Sequence, residues 1–416
     1  MSDSSGATAL AREPAFVRYQ LVRLTSVIAT QMLSVATAWE IYARTHRPES
    51  LGYVGLAIFA PQILFLVLTG VIADRYDRRL VLGVCHVTIA LAALAFSWIA
   101  AQPEAGVAPF YAVLFVFGAA RAFAGPAGQA ITPSLVPQEL FARAVAVSGT
   151  TFQLAVVIGP ALGGALVAPL GTSGVYRIVA VLELVVVGIL PFVRLRAGTR
   201  ASKREPAWSQ LMVGVRFVFT RRALLGAISL DLVAVILGGA TALMPVYARD
   251  ILGVGEWGLG VLRAAPAAGA LLVALYLGVR PLEARAGVVM LLCVALFGAC
   301  TIVFGLSESF PLSVAALVVM GGADMVSVVI RHVIVQGQTP DEMRGRVAAV
   351  NMVFIGASNE LGELESGLTA AWLGTVPAVV AGGVGTIVVT VLAAWLFPEL
   401  RRIERPDASS GSLSVS

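Results

Sequence analysis

Three carboxylates, Glu360, Glu363 and Glu365, stand in the stretch Ala357-Ser358-Asn359-Glu360-Leu361-Gly362-Glu363-Leu364-Glu365-Ser366, whose flanks are apolar. On a helix Glu360 and Glu363 share one face, and Glu365 points to another. Near the centre of a bilayer each charge costs about 2.5–3.5 kcal/mol, so the three must line water, pair or be protonated. A carboxyl that gains and loses a proton there can couple proton flow to a second solute. Other isolated charges interrupt apolar runs: Arg121, Glu183, Asp231, Arg263, Asp324 and Arg331. Counted from the segment ends at about 1.5 Å per residue, Asp231 and Arg331 fall at one depth, Arg263 and Glu365 nearer the opposite face. Depth thus pairs Asp231 with Arg331, and Arg263 with Glu365 or Asp324. Glu360 and Glu363 are then left without an evident cation. They become the candidates for a proton that competes with a cationic or polar substrate; the plain alternative is a static polar network.

Arg121 could neutralise an anionic substrate group or meet a glutamate across a cavity, the alternative being a packing arginine bonded to backbone carbonyls. His86 and His332 are read as hydrogen-bonded packing residues, and Trp39 and Tyr42 as interfacial anchors. Of 29 basic residues all but Lys203 are arginine, and Lys203 has no glycine run before it, so no phosphate-binding lysine is present. Cys85, Cys293 and Cys300 lie in apolar runs and read as core thiols, and neither a metal cluster nor a nucleophile with an adjacent base stands out. The sequence therefore predicts no enzyme, no cofactor, no metal and no nucleic-acid partner.

These residues must be positioned by membrane helices. The chain is 58% hydrophobic and 13% charged over 416 residues, too apolar for a soluble protein, with room for roughly a dozen spans. Its mean hydropathy is +0.89. Twelve apolar segments run from residues 17–43 to 377–397. The expected organisation is a tail at 1–16, a six-helix bundle at 17–193, a basic linker at 194–222, a second bundle at 223–397 and a tail at 398–416. Around Arg216 the linker has the pattern of a short helix lying on the membrane surface, or an extension of the seventh segment. When the loops are sorted by parity, only Arg44, Arg47, Arg177 and Arg249 fall opposite the termini, while Arg121, Arg263 and Arg331 lie within spans. The positive-inside rule then places both termini in the cytoplasm. The polar N-terminus lacks a signal-peptide pattern, so the first apolar helix is expected to be retained.

The halves repeat. Gly55 to Pro61 recurs as Gly260 to Pro266, Tyr42-Ala43-Arg44 as Tyr247-Ala248-Arg249, and Pro137-x-Glu139-x-x-x-Arg143 as Pro340-x-Glu342-x-x-x-Arg346. Gly118, Gly159 and Gly164 match Gly321, Gly362 and Gly367, and Arg121 falls at the position of Asp324. Parallel repeats of this size can form a central site that opens to either side of a membrane.

The loop Gly70-Val71-Ile72-Ala73-Asp74-Arg75-Tyr76-Asp77-Arg78-Arg79 matches motif A of the major facilitator superfamily, G-x-x-x-D-R-x-x-R-[RK], at every fixed position. In it Gly70 permits close helix approach and Asp74, with Arg75, Arg78 and Arg79, forms a gating latch; a solvated basic loop is the alternative. The second copy, Arg280 to Arg285, keeps the charges and loses the order. Gly159-Pro160-Ala161-Leu162-Gly163-Gly164 resembles the end of motif C of that superfamily, associated with exporters, although Ala146 and Ala155 stand where the longer motif has glycines. A proline-kinked packing helix is the alternative. Thr132-Pro133-Ser134-Leu135-Val136, Gly214-x-Arg216-Phe217 and Gln338-Thr339-Pro340-x-x-Met343-x-Gly345-Arg346 resemble stretches of the enterobactin exporter group.

The resemblance implies an all-α membrane protein of two pseudo-symmetric six-helix bundles. Its implied function is a monomeric secondary transporter of the bacterial inner membrane, exporting a siderophore or drug-like small molecule against protons. Uptake of a nutrient or organic ion, and lipid flipping, are the other readings.

Overall fold

The computed structural model describes Leu10 and residues 12–194, 207–280 and 285–403. All regular structure among them is helical: α1 Pro14–Thr45, α2 Pro48–Leu64, α3 Leu66–Arg75, α4 Arg78–Ala100, α5 Ala108–Ile131, α6 Phe141–Ile189, α7 Ala207–Thr220, α8 Arg222–Leu237, α9 Gly255–Val279, α10 Ala286–Leu306, α11 Phe310–Gly337, α12 Asp341–Leu373, α13 Thr375–Leu396 and α14 Pro398–Arg401. Helical turns, ending in a π-turn at Tyr247–Ile251, join α8 to α9.

Among the described residues nine helical stretches are long and apolar enough to cross a membrane. One of them, Gln138–Phe192, reverses at Gly171, whose φ of 67° and ψ of 170° no L side chain adopts readily. Two further crossings are not among the nine, for physical reasons. Beyond Pro61 the helix breaks at Phe65, dividing the second segment into α2 and α3, and α12 carries the carboxylates that depress its hydropathy. This accounting is consistent with twelve crossings. Gly374, with φ 90°, separates α12 from α13, and it lies in Leu373-Gly374-Thr375 as Gly171 lies in Leu170-Gly171-Thr172. The internal repeat therefore extends to a left-handed reversal between paired helices.

The chain forms two compact units: Met1–Arg204 with Pro245–Ala264, and Glu205–Met244 with Ala265–Ser416. In unit one, α1 packs chiefly on α6. A Cβ on Gly159 would lie 2.5 Å from Gln31 Cβ and one on Gly163 3.0 Å from Met32 Cα, so the two glycines let the helices touch. Gly164 meets the start of α9 in the same way, where an added Cβ would sit 2.6 Å from Gly260 Cα. Phe96 stacks between Phe110 and Tyr176, with centroids 5.8 and 5.3 Å away. At the end of α1, Arg44 binds Glu40 at 2.6 Å and donates to the Gln102 and Ala105 carbonyls, satisfying acceptors that follow the end of α4. Tyr42, expected at the lipid interface, is 3% exposed and donates to the Asp250 carboxylate. Trp39 lies 5.8 Å beneath the Arg249 guanidinium.

In unit two, α10 packs on α11 and α13. Helix α7 is separated from α8 by the extended backbone of Arg221 (φ −111°, ψ 102°). Its Val218 is buried with Leu224, Ile228, Val347 and Val350, which seats α7 on α12. The earlier part of the basic linker, 195–206, lies outside the described residues, as do both chain ends beyond Leu10 and Ile403.

Candidate functional site

Unit one holds an open cavity of about 780 Å³. One face of α1 supplies Tyr19, Arg23, Ser26 and Thr30 to its wall, at the three- and four-residue spacing of a helical stripe, with Gln31 beside Thr30. The opposite face, with Ala29, Met32, Leu33 and Ala36, is buried in the core. Helix α4 adds His86, α5 adds Arg121 and Gln129, and α6 adds Phe141, Ser148 and Phe152. Two of these are held by hydrogen bonds: Tyr19 Oη donates to the Gly128 carbonyl at 2.7 Å, and Ser148 Oγ accepts from Gln20, beside the lining, at 2.6 Å.

Arg121 also lines a second pocket of about 70 Å³ together with Thr30, Gln31, Ser34 and Thr37. It is solvent-exposed, with its guanidinium 5.7 Å from the Phe117 centroid. Neither Arg121 nor Arg23 has a carboxylate partner among the described residues. A cavity with two uncompensated guanidinium groups and aromatic walls suits a molecule that combines an apolar body with an anionic or acceptor-rich group.

Glu183, an isolated charge in an apolar run, and His86, expected only to pack, are joined in the structure. Glu183 is wholly buried, its Oε2 is 2.6 Å from His86 Nδ1, and its Oε1 accepts a hydrogen bond from Ser26 Oγ at 3.1 Å. A buried carboxylate is tolerated only when its oxygens are satisfied, and these are. His86 and Ser26 line the cavity, so the buried charge communicates with it through two side chains. No local spacing could reveal a contact between residues this far apart in sequence.

The other expected residues divide between the units. In unit two, Arg331 is 2% exposed and forms an ion pair with Asp231. Asp324 is half-buried on α11 without a hydrogen bond or ion pair among the described residues. Glu365 accepts from Thr369 Oγ1 at 2.8 Å. Glu360 and Glu363, expected to lack partners, are half-buried and each is engaged by neighbours. Arg263, expected beside Glu365 or Asp324, belongs to unit one, where it donates to Ser34 Oγ at 2.7 Å. Among the described residues no group of three His, Cys, Asp or Glu could hold a metal ion.

In the motif-A loop, Gly70 and Arg75 lie on α3, while the Asp74 side chain lies outside the described parts. Arg78 is engaged by neighbours. Asp77 caps α4: its Oδ1 accepts from the Arg79 backbone N–H and its Oδ2 from the Arg79 guanidinium, both at 2.8 Å. Arg79 also reaches the Val193 carbonyl at 3.5 Å, and Arg18 donates to the Phe192 carbonyl at 3.0 Å. The Arg79 hydrogen bond holds the Asp77 carboxyl below the usual carboxylate range. Asp77→Ala is expected to cost about 1 kcal/mol of stability through loss of the cap. Because folding depresses this pKa, the contribution is present above the unfolded value of about 3.9 and is lost as pH falls through the folded one. Thermal unfolding of the two proteins should therefore differ by a constant amount from about pH 5 upward and converge on acidification.

The profile of the Major Facilitator Superfamily matches residues 21–363. The enterobactin exporter EntS of Escherichia coli O139:H28 (strain E24377A / ETEC) is 28% identical over 397 residues, covering 95% of each chain, and EntS of E. coli strain SMS-3-5 / SECEC matches equally. Among solved structures, a bacterial homologue of the human lysosomal transporter Spinster superposes with a TM-score of 0.74 at 14% identity, covering 94% of this chain and 98% of the other. The nucleoside transporter NupG gives 0.65 at 14% identity, covering 92% and 99%.

Proposed function

We propose that this chain, which belongs to the major facilitator superfamily, exports a small amphipathic molecule, siderophore-like or drug-like, across the bacterial inner membrane in exchange for protons. The observation that carries this reading is the cavity of about 780 Å³ with Arg23 and Arg121 in its wall, neither of them paired with a carboxylate among the described residues. Such a lining selects a solute with an acceptor-rich or anionic group, rather than the cationic one that the α12 carboxylates would favour. The relationship to enterobactin exporters and the glycine-proline segment of α6 support the outward direction. On this reading the chain works as a monomer with both termini in the cytoplasm, and its bundles span 17–193 and 223–397. The proton carriers are drawn from Glu360, Glu363, Glu365 and Asp324 in unit two and from the His86–Glu183 pair in unit one.

The test is enterobactin uptake by inverted membrane vesicles carrying a proton gradient, acid inside. The expected result is accumulation that collapses when the gradient is dissipated. A hydrogen bond to a charged group contributes about 1.5–3 kcal/mol, so Arg121→Ala should weaken the apparent affinity by roughly 10–100-fold. Accumulation only by right-side-out vesicles would reverse the direction to uptake, and movement of lipid headgroup analogues alone would favour a flippase.

A further inference from the structure

His86 is 6% exposed and lines the cavity; its Nδ1 faces Glu183, so Nε2 is the ring nitrogen that Glu183 leaves unoccupied. No hydrogen bond from another described residue occupies Nε2. In the neutral ring, Nδ1–H donates to the Glu183 carboxylate, and that bond fixes Nε2 as the unprotonated nitrogen with its lone pair directed away from Glu183. We infer that His86 Nε2 is a single acceptor site for which a proton and a hydroxyl or N–H group of the substrate compete.

The exclusion follows from valence. With substrate bound, the Nε2 lone pair accepts a hydrogen bond from the substrate donor. When a proton arrives, it takes that lone pair, Nε2 becomes an N–H donor, and the substrate hydroxyl or amide N–H then faces a donor instead of an acceptor. The imidazolium keeps its Nδ1–H bond to Glu183, so the new charge forms beside a carboxylate that Ser26 already holds in place. The proton and the substrate donor therefore cannot both occupy the site. Their exchange is one proton for one donor.

The ionisable surroundings of the ring are defined. On α1, Tyr19 and Arg23 line the same cavity and Ser26 bonds to the carboxylate; on α5, Arg121 lines it; on α6, Glu183 is the partner; on α4 itself, Cys85 is a buried thiol. The only carboxylate in this set is Glu183. The two arginines bind acceptors while His86 binds a donor, so the site takes a molecule that presents both within reach of α1, α4 and α5. This deepens the export reading by naming the coupling atom and the substrate's donor group, but the competition is a property of binding and holds for either direction of transport.

The experiment uses the purified, detergent-solubilised chain with enterobactin as probe, and reads proton release on binding and Kd as a function of pH. The wild type should release up to one proton per molecule bound and bind more weakly as pH falls. His86→Gln should bind within about tenfold of wild type, release none of these protons and show a flat Kd against pH. A wild-type Kd independent of pH, or full proton release by His86→Gln, would overturn the inference. A second readout needs no ligand: nitrogen NMR of the histidine rings, with the His86 signal assigned by its loss in His86→Gln. Neutral His86 should carry its proton on Nδ1, and Glu183→Gln should shift that preference; a neutral ring protonated on Nε2 sinks the inference. If enterobactin does not bind, the siderophore reading fails and the ring tautomer still decides this one.

Discussion

Arg331→Met is expected to destabilise the protein by about 3–5 kcal/mol, because it leaves Asp231 as a charge without its partner in unit two. Arg331 is 2% exposed and ion-paired to Asp231. Desolvating both groups offsets most of their mutual attraction, so the pair itself adds little net stability, whereas breaking it from one side leaves the full cost of the other charge. The double variant Asp231→Leu, Arg331→Met removes both charges and should recover most of the loss. Thermal or denaturant unfolding in detergent measures all three proteins. A single variant within about 1 kcal/mol of wild type would show that Asp231 finds water or another partner, contrary to the burial of the pair.

Asp231 and Arg331 also show how far the sequence carries a membrane protein. Depth is readable, because a helix rises by a fixed amount per residue, and counting from the segment ends puts these two at one level. Rotation about the helix axis is not readable where nearly every face is apolar. That is why Arg263, placed at the right depth for Glu365, instead reaches Ser34 on α1. It is also why Glu360 and Glu363 read as unpartnered while neighbours engage both.

The fold was legible for a different reason. Apolar length and motif A depend on composition and local order, which no tertiary contact can alter. For Gly159, Gly163 and Gly164 the sequence offers close packing only as the alternative to an exporter motif, and each meets a neighbouring helix where a side chain would not fit. The Ser26–Glu183–His86 cluster depends instead on three helices meeting. A lone histidine and a lone glutamate in apolar runs carry no mark of each other. The usable signal was energetic: a glutamate in so apolar a segment must be satisfied by something, and His86 is one of the few polar residues that α4 offers, whereas α1 offers many besides Ser26.

The repeated glycines lead to the second large effect, Gly321→Ala. A Cβ at Gly321 would lie 1.9 Å from the Pro266 carbonyl oxygen, 2.5 Å from its carbonyl carbon and 2.6 Å from its Cα. These are backbone atoms of α9, which cannot rotate aside as a side-chain tip can. One turn away the contact is doubled, since a Cβ at Gly269 would meet the Val318 carbonyl oxygen at 1.8 Å. Alanine at either position must force α9 and α11 apart along their crossing, an overpacking cost of about 1–3 kcal/mol, and valine should exceed it. The repeat supplies an internal comparison in unit one. Gly118 stands at the position of Gly321 and Pro61 at that of Pro266, and a Cβ at Gly118 would lie 2.4 Å from the Ile58 carbonyl oxygen and 2.9 Å from Pro61 Cγ. The contact is less severe and one of its atoms can move, so Gly118→Ala should cost less than Gly321→Ala. Gly356, on α12, has nothing within 4 Å of the added Cβ, so alanine there should leave stability unchanged or raise it by about 0.5–1 kcal/mol. If Gly321→Ala unfolds at the wild-type temperature while retaining its helices, α9 and α11 do not cross as closely as these distances require, and the structural match between the two repeats fails with it.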